Sequence, residues 1–225
     1  DPSCFIKTID LLDSLIDELK SSIDNFSLSM LDIGGGTPVK YTKPVTSPEY
    51  IGKIITDKLN IFVESLDSPP TLIVESGRYL SAESSILISR IVNSKSYPDG
   101  KFHIVDAGYN LLLDSALMKQ EYPIDIITKS EHVHYENIKI GGRLCDTLDT
   151  FKIPFDKQYP SAEINDLVIF KNVGAYSIVF NMPFHSQTKP SILLRRTDHT
   201  LDIIRNKENI ADLFNSEGGN LISKQ

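Results

Sequence analysis

The sequence predicts an α/β unit over residues 1–80, followed by a mostly antiparallel, all-β domain over residues 81–214. Helices and short apolar strands alternate in the first part, which is the order of elements that a parallel sheet requires. Beyond residue 80 come short runs rich in β-branched residues, separated by turn signals such as "PDG". We expect residues 215–225 to form a loose tail.

The elements of the first unit follow from the spacing of apolar residues. Apolar side chains at helical spacing within residues 3–24 predict an amphipathic helix. Leu28–Ile33 reads as a buried strand, and a second helix is expected to follow Ser47. The run "PPTLIVESGRY" contains the second strand, which ends at Glu75.

The β domain is predicted from apolar runs that are too short for helices. Strands are expected at Ile86–Val92, Phe102–Asp106, Ile124–Ile127, Val168–Phe170, Tyr176–Phe180 and Ile192–Arg196. A longer helix is expected only around Asn110–Met118, and a short helix is expected near Lys207–Phe214.

Composition argues against several classes of partner. The chain has 225 residues with 23 basic and 30 acidic side chains, a formal net charge of −7. This charge argues against nucleic acid or an anionic membrane as the main partner. No apolar stretch approaches the ~20 residues needed to cross a bilayer. Cys4 and Cys145 lie far apart without metal-ligand spacing, so we expect a reducing, cytoplasmic location.

Three consecutive glycines, Gly34, Gly35 and Gly36, follow the first predicted strand in "LDIGGGTPVKY". Glycines leave backbone N–H groups unobstructed, which suits a phosphate or a carboxylate. Ligand sites in parallel α/β sheets lie at this carboxyl end of the strands. A tight turn without a ligand is an equally good interpretation of the glycines alone.

Glu75 and Arg78 follow the next strand in "ESGRY", at the same end of the predicted sheet. An arginine there can form a bidentate contact with a phosphate, and a glutamate can pair with a protonated ring nitrogen. A surface salt bridge is the simpler interpretation of the two residues alone. The neighbouring glycines favour an anion site.

Two further groups of residues have alternative interpretations. His132 and His134 in "HVHYE" would share one face of a strand and could bind a metal, but no third ligand is evident. A solvated strand is therefore favoured for them. Cys145 in "GRLCDTLD" is either a buried core thiol or part of a polar site that includes Asp146 and Asp149.

The order of five motifs resembles that of the fold type III pyridoxal-phosphate decarboxylases, the ornithine, arginine and diaminopimelate decarboxylase family. These motifs are "LDIGGG", "ESGRY", "VDAGYN", "CDTLD" and "VGAYSIVFNMPFHSQTKPSILL". The resemblance extends from about residue 3 to about residue 214. It implies that the first unit is part of a (β/α)8 barrel and that the second is a β-sandwich or β-barrel domain. It also implies a homodimer with active sites shared between subunits.

The resemblance implies a cofactor and the residues that bind it. The three glycines would cradle the phosphate of pyridoxal 5′-phosphate, and Arg78 would add a charged contact. Glu75 would pair with the protonated pyridine nitrogen. Tyr176, in "GAY", would face the cofactor and its phosphate.

The resemblance also implies the reaction. Cys145 would reach into the partner subunit's site and protonate the substrate carbon after CO₂ has departed. Asp106 and Asp146 would bind the distal amine of a basic or diamino substrate, such as ornithine or lysine, in amino-acid metabolism or polyamine biosynthesis. The alternative is a non-catalytic homologue that binds or regulates decarboxylases.

Several features depart from the family pattern. No lysine matches the Schiff-base lysine, and the two strand-plus-loop units fall short of the eight in a closed barrel. Together with the missing initiator Met, this predicts that the lysine-bearing half is a cleaved fragment, a separate chain or lost. Leu113-Asp114 replaces the Arg-Pro of diaminopimelate decarboxylases, and Phe184-His185 replaces their Tyr-Asn. These departures, with Asp146 in place of Glu, argue against diaminopimelate as the substrate.

Overall fold

The chain forms two units in the computed structural model, which describes residues 2–154 and 156–215. The first unit extends through Ser85 and the second begins at Ile86. The predicted tail beyond residue 215 lies outside the described residues. No helix among the described residues is both long enough and apolar enough to cross a membrane.

The first unit contains the two predicted helices and the two predicted strands. They are α1 (Ser3–Ser22), β1 (Met30–Asp32), α2 (Pro48–Glu64) and β2 (Thr71–Ile73), followed by the short helix α3 (Gly77–Ser81). The Ser47 hydroxyl accepts a hydrogen bond from the Tyr50 N–H (3.2 Å) and caps α2, whose first residue is a proline. The apolar faces of α1 and α2 bury residues such as Ile9 and Phe62 in one core with Leu31.

β1 and β2 form a parallel two-stranded sheet, in which Leu31 pairs with Leu72. The described residues contain no closed barrel. Leu72 is 45% exposed and Ile73 is 38% exposed. Apolar side chains of this strand pair are therefore partly exposed to solvent in this chain.

The second unit is a mostly antiparallel β domain, as predicted. Its described residues include one short α-helix, α4 (Leu113–Leu117), and the strands β3 (Leu87–Tyr97), β4 (Gly100–Val105), β5 (Ile124–Ile127), β6 (Tyr135–Glu136), β7 (Ile138–Gly141), β8 (Thr150–Phe151), β9 (Tyr159–Pro160), β10 (Leu167–Phe170), β11 (Ile192–Arg195) and β12 (Leu201–Arg205).

Six of these strands form one sheet in the order β5-β10-β3-β4-β7-β8. Every pair in that sheet is antiparallel except β4 and β7. β3 and β4 form a hairpin whose closing pair is Tyr97 and Gly100. Gly100 has φ +139°, and a Cβ atom there would overlap the Asn137 carbonyl, so this turn requires glycine.

The predicted strand at Tyr176–Phe180 is wrong. Ile178–Phe180 is a single 3₁₀ turn, and Tyr176 has φ +54°, a left-handed conformation that a strand cannot contain. The Asn181 side-chain amide donates to the Ser177 carbonyl (2.7 Å) and closes the turn. The alternation of apolar residues did not reveal this side-chain contact.

Other differences concern very short elements. His132 lies in a bend before β6, so it does not share a strand face with His134. The two-residue strands β6, β8 and β9 are too short to produce a periodic signal. The predicted helix near Lys207–Phe214 is a 3₁₀ helix, Ile210–Phe214, capped reciprocally by Asn209 and Asp212.

His103, on β4, is a fully buried imidazole within the second unit. Its side chain is 0% exposed, and neither ring nitrogen has a hydrogen-bond partner among the described residues. Burial lowers the pKa of His103, as does the positive charge of Lys101. The negative charges of Glu136, Glu163 and Asp166 act in the opposite direction without reversing the shift.

We expect the free energy of unfolding to decrease as the pH falls below about 6.5, the ordinary pKa of histidine. The unfolded chain then binds a proton at residue 103, whereas the native state remains neutral until the lowered pKa is reached. Replacing His103 by Leu should remove this part of the pH dependence, measured by urea unfolding at pH 7.5, 6.5 and 5.5. His132→Gln, at an exposed bend, is the control and should retain it. An identical slope in His103→Leu and wild type would contradict the assignment.

Candidate active site

The glycine loop extends the backbone pairing of β1 and β2 beyond the strands. The Ile33 N–H donates to the Ile73 carbonyl (3.1 Å), and the Glu75 N–H donates to the Gly34 carbonyl (2.9 Å). A Cβ atom at Gly35 would lie 2.5 Å from the Glu75 carbonyl oxygen. The first two glycines and Glu75 are therefore brought together, as the sequence predicted for the ends of parallel strands.

The three glycines differ in what they offer an anion. Gly34 (φ +73°) and Gly36 (φ +98°) are left-handed. The Gly34 N–H already donates to the Asp32 carboxylate (2.8 Å). Among the described residues, the N–H groups of Gly35 and Gly36 donate no hydrogen bond. These two donors, rather than all three, suit a phosphate oxygen.

Arg78 lies in the first turn of α3, directly after the Glu75 segment. The Ser76 and Thr37 hydroxyls are 2.6 Å apart and connect the start of α3 to the segment that follows the glycines. The structure thus places the glycines, Glu75 and Arg78 at one end of the parallel strand pair. Glu75 is exposed and Arg78 is half-buried.

A second polar cluster is organised by Asp149 in the β domain. Asp149 is 4% exposed, and its two carboxylate oxygens accept hydrogen bonds from the Tyr109 N–H (2.7 Å) and the Leu144 N–H (2.7 Å). Burial raises the pKa of Asp149, and these two N–H groups oppose the shift. A side chain at Gly142 would overlap this carboxylate. Asp149 therefore holds the segment that carries Cys145.

Asp146 and Cys145 lie on the surface of this segment. Asp146 accepts hydrogen bonds from the Tyr109 hydroxyl (2.9 Å) and from the Leu148 N–H (2.8 Å). The Leu148 N–H contributes most to a lowered pKa of Asp146, and the Tyr109 hydroxyl contributes next. Cys145 is a free, exposed thiol, so it is not a core cysteine. An ionised carboxylate thus neighbours an accessible thiol.

Tyr109 contributes to the cluster as a neutral phenol. Desolvation, together with the hydrogen bond to Asp146, raises the pKa of Tyr109 to about 12. Its ring contacts Phe184, with ring centroids 5.8 Å apart. Sequence analysis included Tyr109 in the motif "VDAGYN" but gave it no role, because its hydroxyl partner lies 37 residues further along the chain.

Asp106 and Tyr176, the other predicted site residues, make different contacts. An Asp106 carboxylate oxygen accepts the Arg90 N–H (2.8 Å), and the Asp106 N–H donates to the Arg90 carbonyl (3.0 Å). Asp106 is exposed and joins β3 to the end of β4. The Tyr176 ring stacks on Phe180 with centroids 6.0 Å apart. Substrate and cofactor roles for these two residues remain predictions.

The described residues contain no group of three or more side chains placed to bind a metal ion. His134 instead lies 3.8 Å from the Glu136 carboxylate, within β6 and the residue before it. The solvated interpretation of the histidine pair stays a prediction.

Comparisons with known proteins identify the family. The family model described as "Pyridoxal-dependent decarboxylase, C-terminal sheet domain" matches residues 13–174. The fold and the motifs therefore define a C-terminal sheet domain of this class. The chain belongs to the pyridoxal-dependent decarboxylase family.

The proteins similar to this chain include diaminopimelate decarboxylases. The enzyme of Buchnera aphidicola from Schizaphis graminum is 32% identical over an alignment of 209 residues, which covers 86% of this chain and 49% of that protein. The structure of the Helicobacter pylori enzyme with L-lysine is 28% identical with a TM-score of 0.81, covering 96% of this chain and 51% of that one. The structure of the enzyme from M. jannaschii, also with L-lysine, has a TM-score of 0.84 at 25% identity. The match covers 96% of this chain and 49% of that one. The chain thus spans about half the length of these relatives.

Replacing Gly35 by Ala should destabilise the chain by about 1–3 kcal/mol, because the new methyl group would press against the Glu75 carbonyl. The measurement is the free energy of unfolding in urea. Gly52→Ala, in α2, is the matched control, since a Cβ atom there meets nothing within 4 Å. We expect that control to be neutral or stabilising by up to ~1 kcal/mol. Equal stability of the two variants would show that the loop does not approach Glu75 this closely.

Proposed function

We propose that this chain is the C-terminal half of a pyridoxal 5′-phosphate-dependent decarboxylase that acts on an amino acid with a second amino group. The observation that carries the proposal is the glycine loop. Two backbone N–H groups that donate no hydrogen bond to any described residue lie at the end of a parallel strand pair, which also presents Glu75 and Arg78. Family membership and the diaminopimelate decarboxylase relatives support the reaction class.

The residues of the first unit fit the cofactor. The Gly35 and Gly36 N–H groups would donate to its phosphate, and the Arg78 guanidinium would add charge-assisted hydrogen bonds. Gly34 contributes its left-handed conformation, since its N–H is engaged by Asp32. The Glu75 carboxylate would stabilise the proton on the pyridine nitrogen. When bound, the cofactor supplies an electron sink for the electrons released when CO₂ departs.

The residues of the β domain supply the proton and recognise the substrate. The exposed Cys145 thiol would donate its proton to the substrate carbon that has lost CO₂. Asp146, with its lowered pKa, would hold the distal ammonium group, with Asp106 as a second carboxylate. Tyr176 would contact the cofactor. We propose that Cys145 acts in the site of a second subunit, which requires a homodimer.

We further propose that the first unit is part of a (β/α)8 barrel. The incomplete burial of β2 and the match to about half of each relative support this. The lysine that anchors the cofactor would lie in the other half, outside these 225 residues. A cleaved fragment or a separate chain that carries this half would then be a partner of this chain.

The substrate class rests on charge. The relatives from H. pylori and M. jannaschii are diaminopimelate decarboxylases in complex with L-lysine, the diamino acid that remains when diaminopimelate loses CO₂. Diaminopimelate also carries a distal carboxylate, and the position at which its decarboxylases have an arginine is here Leu113, followed by a buried aspartate. We therefore propose a substrate like ornithine or lysine, which would place the reaction in polyamine formation. Diaminopimelate is the alternative that the relatives favour.

A panel of amino acids tests this assignment. The protein containing both halves should release CO₂ from L-ornithine or L-lysine faster than from meso-diaminopimelate, because Asp146 offers no partner to a second carboxylate. Replacing Cys145 by Ala should slow decarboxylation or divert it to transamination, and Cys4→Ser is the control. Preference for meso-diaminopimelate would overturn the substrate assignment. Cofactor binding without CO₂ release from any amino acid would identify a non-catalytic homologue.

Replacing Arg78 by Ala should weaken cofactor binding about ten- to a hundredfold, the effect of removing one charge-assisted contact. The measurement is a titration of the complete apoenzyme with pyridoxal 5′-phosphate, followed by absorbance. Arg90→Ala removes the same charge from the β domain and should leave the affinity unchanged. Unchanged affinity in Arg78→Ala would refute the phosphate assignment.

A further inference from the structure

His185 contacts the Cys145 segment from a distant part of the chain. The Cys145 N–H points to the His185 Nδ1 atom at 3.3 Å. His185 lies in the short turn Phe184–Ser186, and both His185 (φ +53°) and Ser186 (φ +54°) are left-handed. Left-handed conformations are unfavourable for residues other than glycine, so the surrounding contacts must hold this turn in place.

Aromatic contacts fix the imidazole in this position. The His185 ring stacks on Phe184 with centroids 4.0 Å apart and an interplanar angle of 23°. Phe184 in turn contacts Tyr109, whose hydroxyl donates to Asp146, the residue after Cys145. The contacts therefore form a closed circuit that begins and ends at the Cys145 segment. A ring held by stacking can present one nitrogen to a backbone N–H in a defined direction.

The N–H groups near Cys145 differ in the acceptors that they use. The Leu144 N–H donates to the buried Asp149 carboxylate, and the Asp146 N–H donates to the Leu144 carbonyl (2.9 Å). Among these three N–H groups, only that of Cys145 has an imidazole nitrogen as its acceptor. A neutral imidazole accepts at the nitrogen that carries no proton, whereas both nitrogens of the protonated ring are donors. The contact therefore requires neutral His185 with its proton on Nε2.

Two carboxylates interact electrostatically with the His185 ring. A positive charge on His185 contributes to lowering the pKa of both Asp146 and Asp149, behind the larger effects already described. The carboxylates of Asp146 and Asp149 are therefore electrostatic neighbours of this ring. The remaining titratable groups in the circuit are the Cys145 thiol and the Tyr109 phenol, which stays neutral.

We propose that neutral His185 is a positioning residue for Cys145, and that protonation of its ring releases the Cys145 peptide. The N–H of Cys145 would then face a donor instead of an acceptor, and the direction of the thiol would no longer be held. The role in proton donation rests on the proposed function, whereas the pH-dependent contact does not. Neither requires the cofactor for its first test.

The first test uses the fact that the chain contains two cysteines. Selective ¹⁵N labelling of cysteine gives two amide signals in the NMR spectrum of the full chain, and Cys4→Ser assigns them. Cys4, in α1 of the first unit, is the internal control. Between pH 5.5 and 8 the Cys145 signal should shift with the same midpoint as the His185 ring nitrogens, while the Cys4 signal should not follow that midpoint.

Two substitutions separate the hydrogen bond from the titration. In His185→Asn, a side-chain oxygen can still accept from the Cys145 N–H, so the signal should stay near its position at pH 8 without titrating. In His185→Ala, the acceptor is lost and the signal should move to the position of a solvent-exposed amide at every pH. A Cys145 signal that ignores the His185 midpoint in the wild type would overturn the proposal.

The second test measures product partition in the complete enzyme. At pH 8, His185→Ala should increase transamination relative to decarboxylation about three- to tenfold, the range expected for one hydrogen bond. His185→Asn should restore the wild-type ratio of transamination to decarboxylation at pH 8. In the wild type we expect this ratio to increase at low pH, and His185→Asn should remove that increase. Wild-type partition in His185→Ala would refute the positioning role. If the Cys145 amide signal follows the His185 midpoint but the complete protein does not decarboxylate any amino acid, the proposed function would be refuted and the pH-dependent contact would stand.

Discussion

The second unit depends on one buried carboxylate. Asp149 accepts two short hydrogen bonds, from the Tyr109 N–H and from the Leu144 N–H, and it thereby joins two segments that lie far apart in sequence. A buried carboxylate is costly unless its oxygens are paired, so both segments must be in place for the site to be stable. Gly142 is part of the same constraint, because any side chain would overlap the carboxylate. Cys145 and Asp146 owe their exposure to this support.

In the first unit, backbone hydrogen bonds rather than a buried side chain hold the two segments of the candidate site together. The hydrogen bonds between β1 and β2 continue into the glycine loop, so Gly35 lies against the Glu75 carbonyl. Close packing of two backbones leaves no room for a side chain, and it also leaves the next N–H groups free to bind a ligand. The same glycines therefore serve the fold and the proposed phosphate site. This explains why a turn without a ligand and an anion site could not be distinguished from the sequence.

Family membership and substrate choice rest on different residues. The family match follows from the ordered motifs and the sheet domain, and it is insensitive to a few changes at the surface. The proposed substrate class depends on single charges, such as that of Asp146 and the one absent at Leu113. His185 belongs to this second group. Its ring accepts the Cys145 N–H, and it therefore couples the Cys145 peptide to a titratable side chain.

The sequence alone determined the helices, the longer strands and the ordered motifs, because helical spacing, the Ser47 cap and consecutive glycines are local signals. It also placed Gly35 and Glu75 at one end of neighbouring strands, since parallel strands align their carboxyl ends. Only the tertiary structure decided that Tyr176 begins a turn instead of a strand. Only it revealed the contacts of Asp149, Tyr109 and His185. The hydrogen bonds of Tyr109 to Asp149 and Asp146, and of Cys145 to His185, join residues about 40 positions apart, and no local pattern encodes a hydrogen bond over that distance.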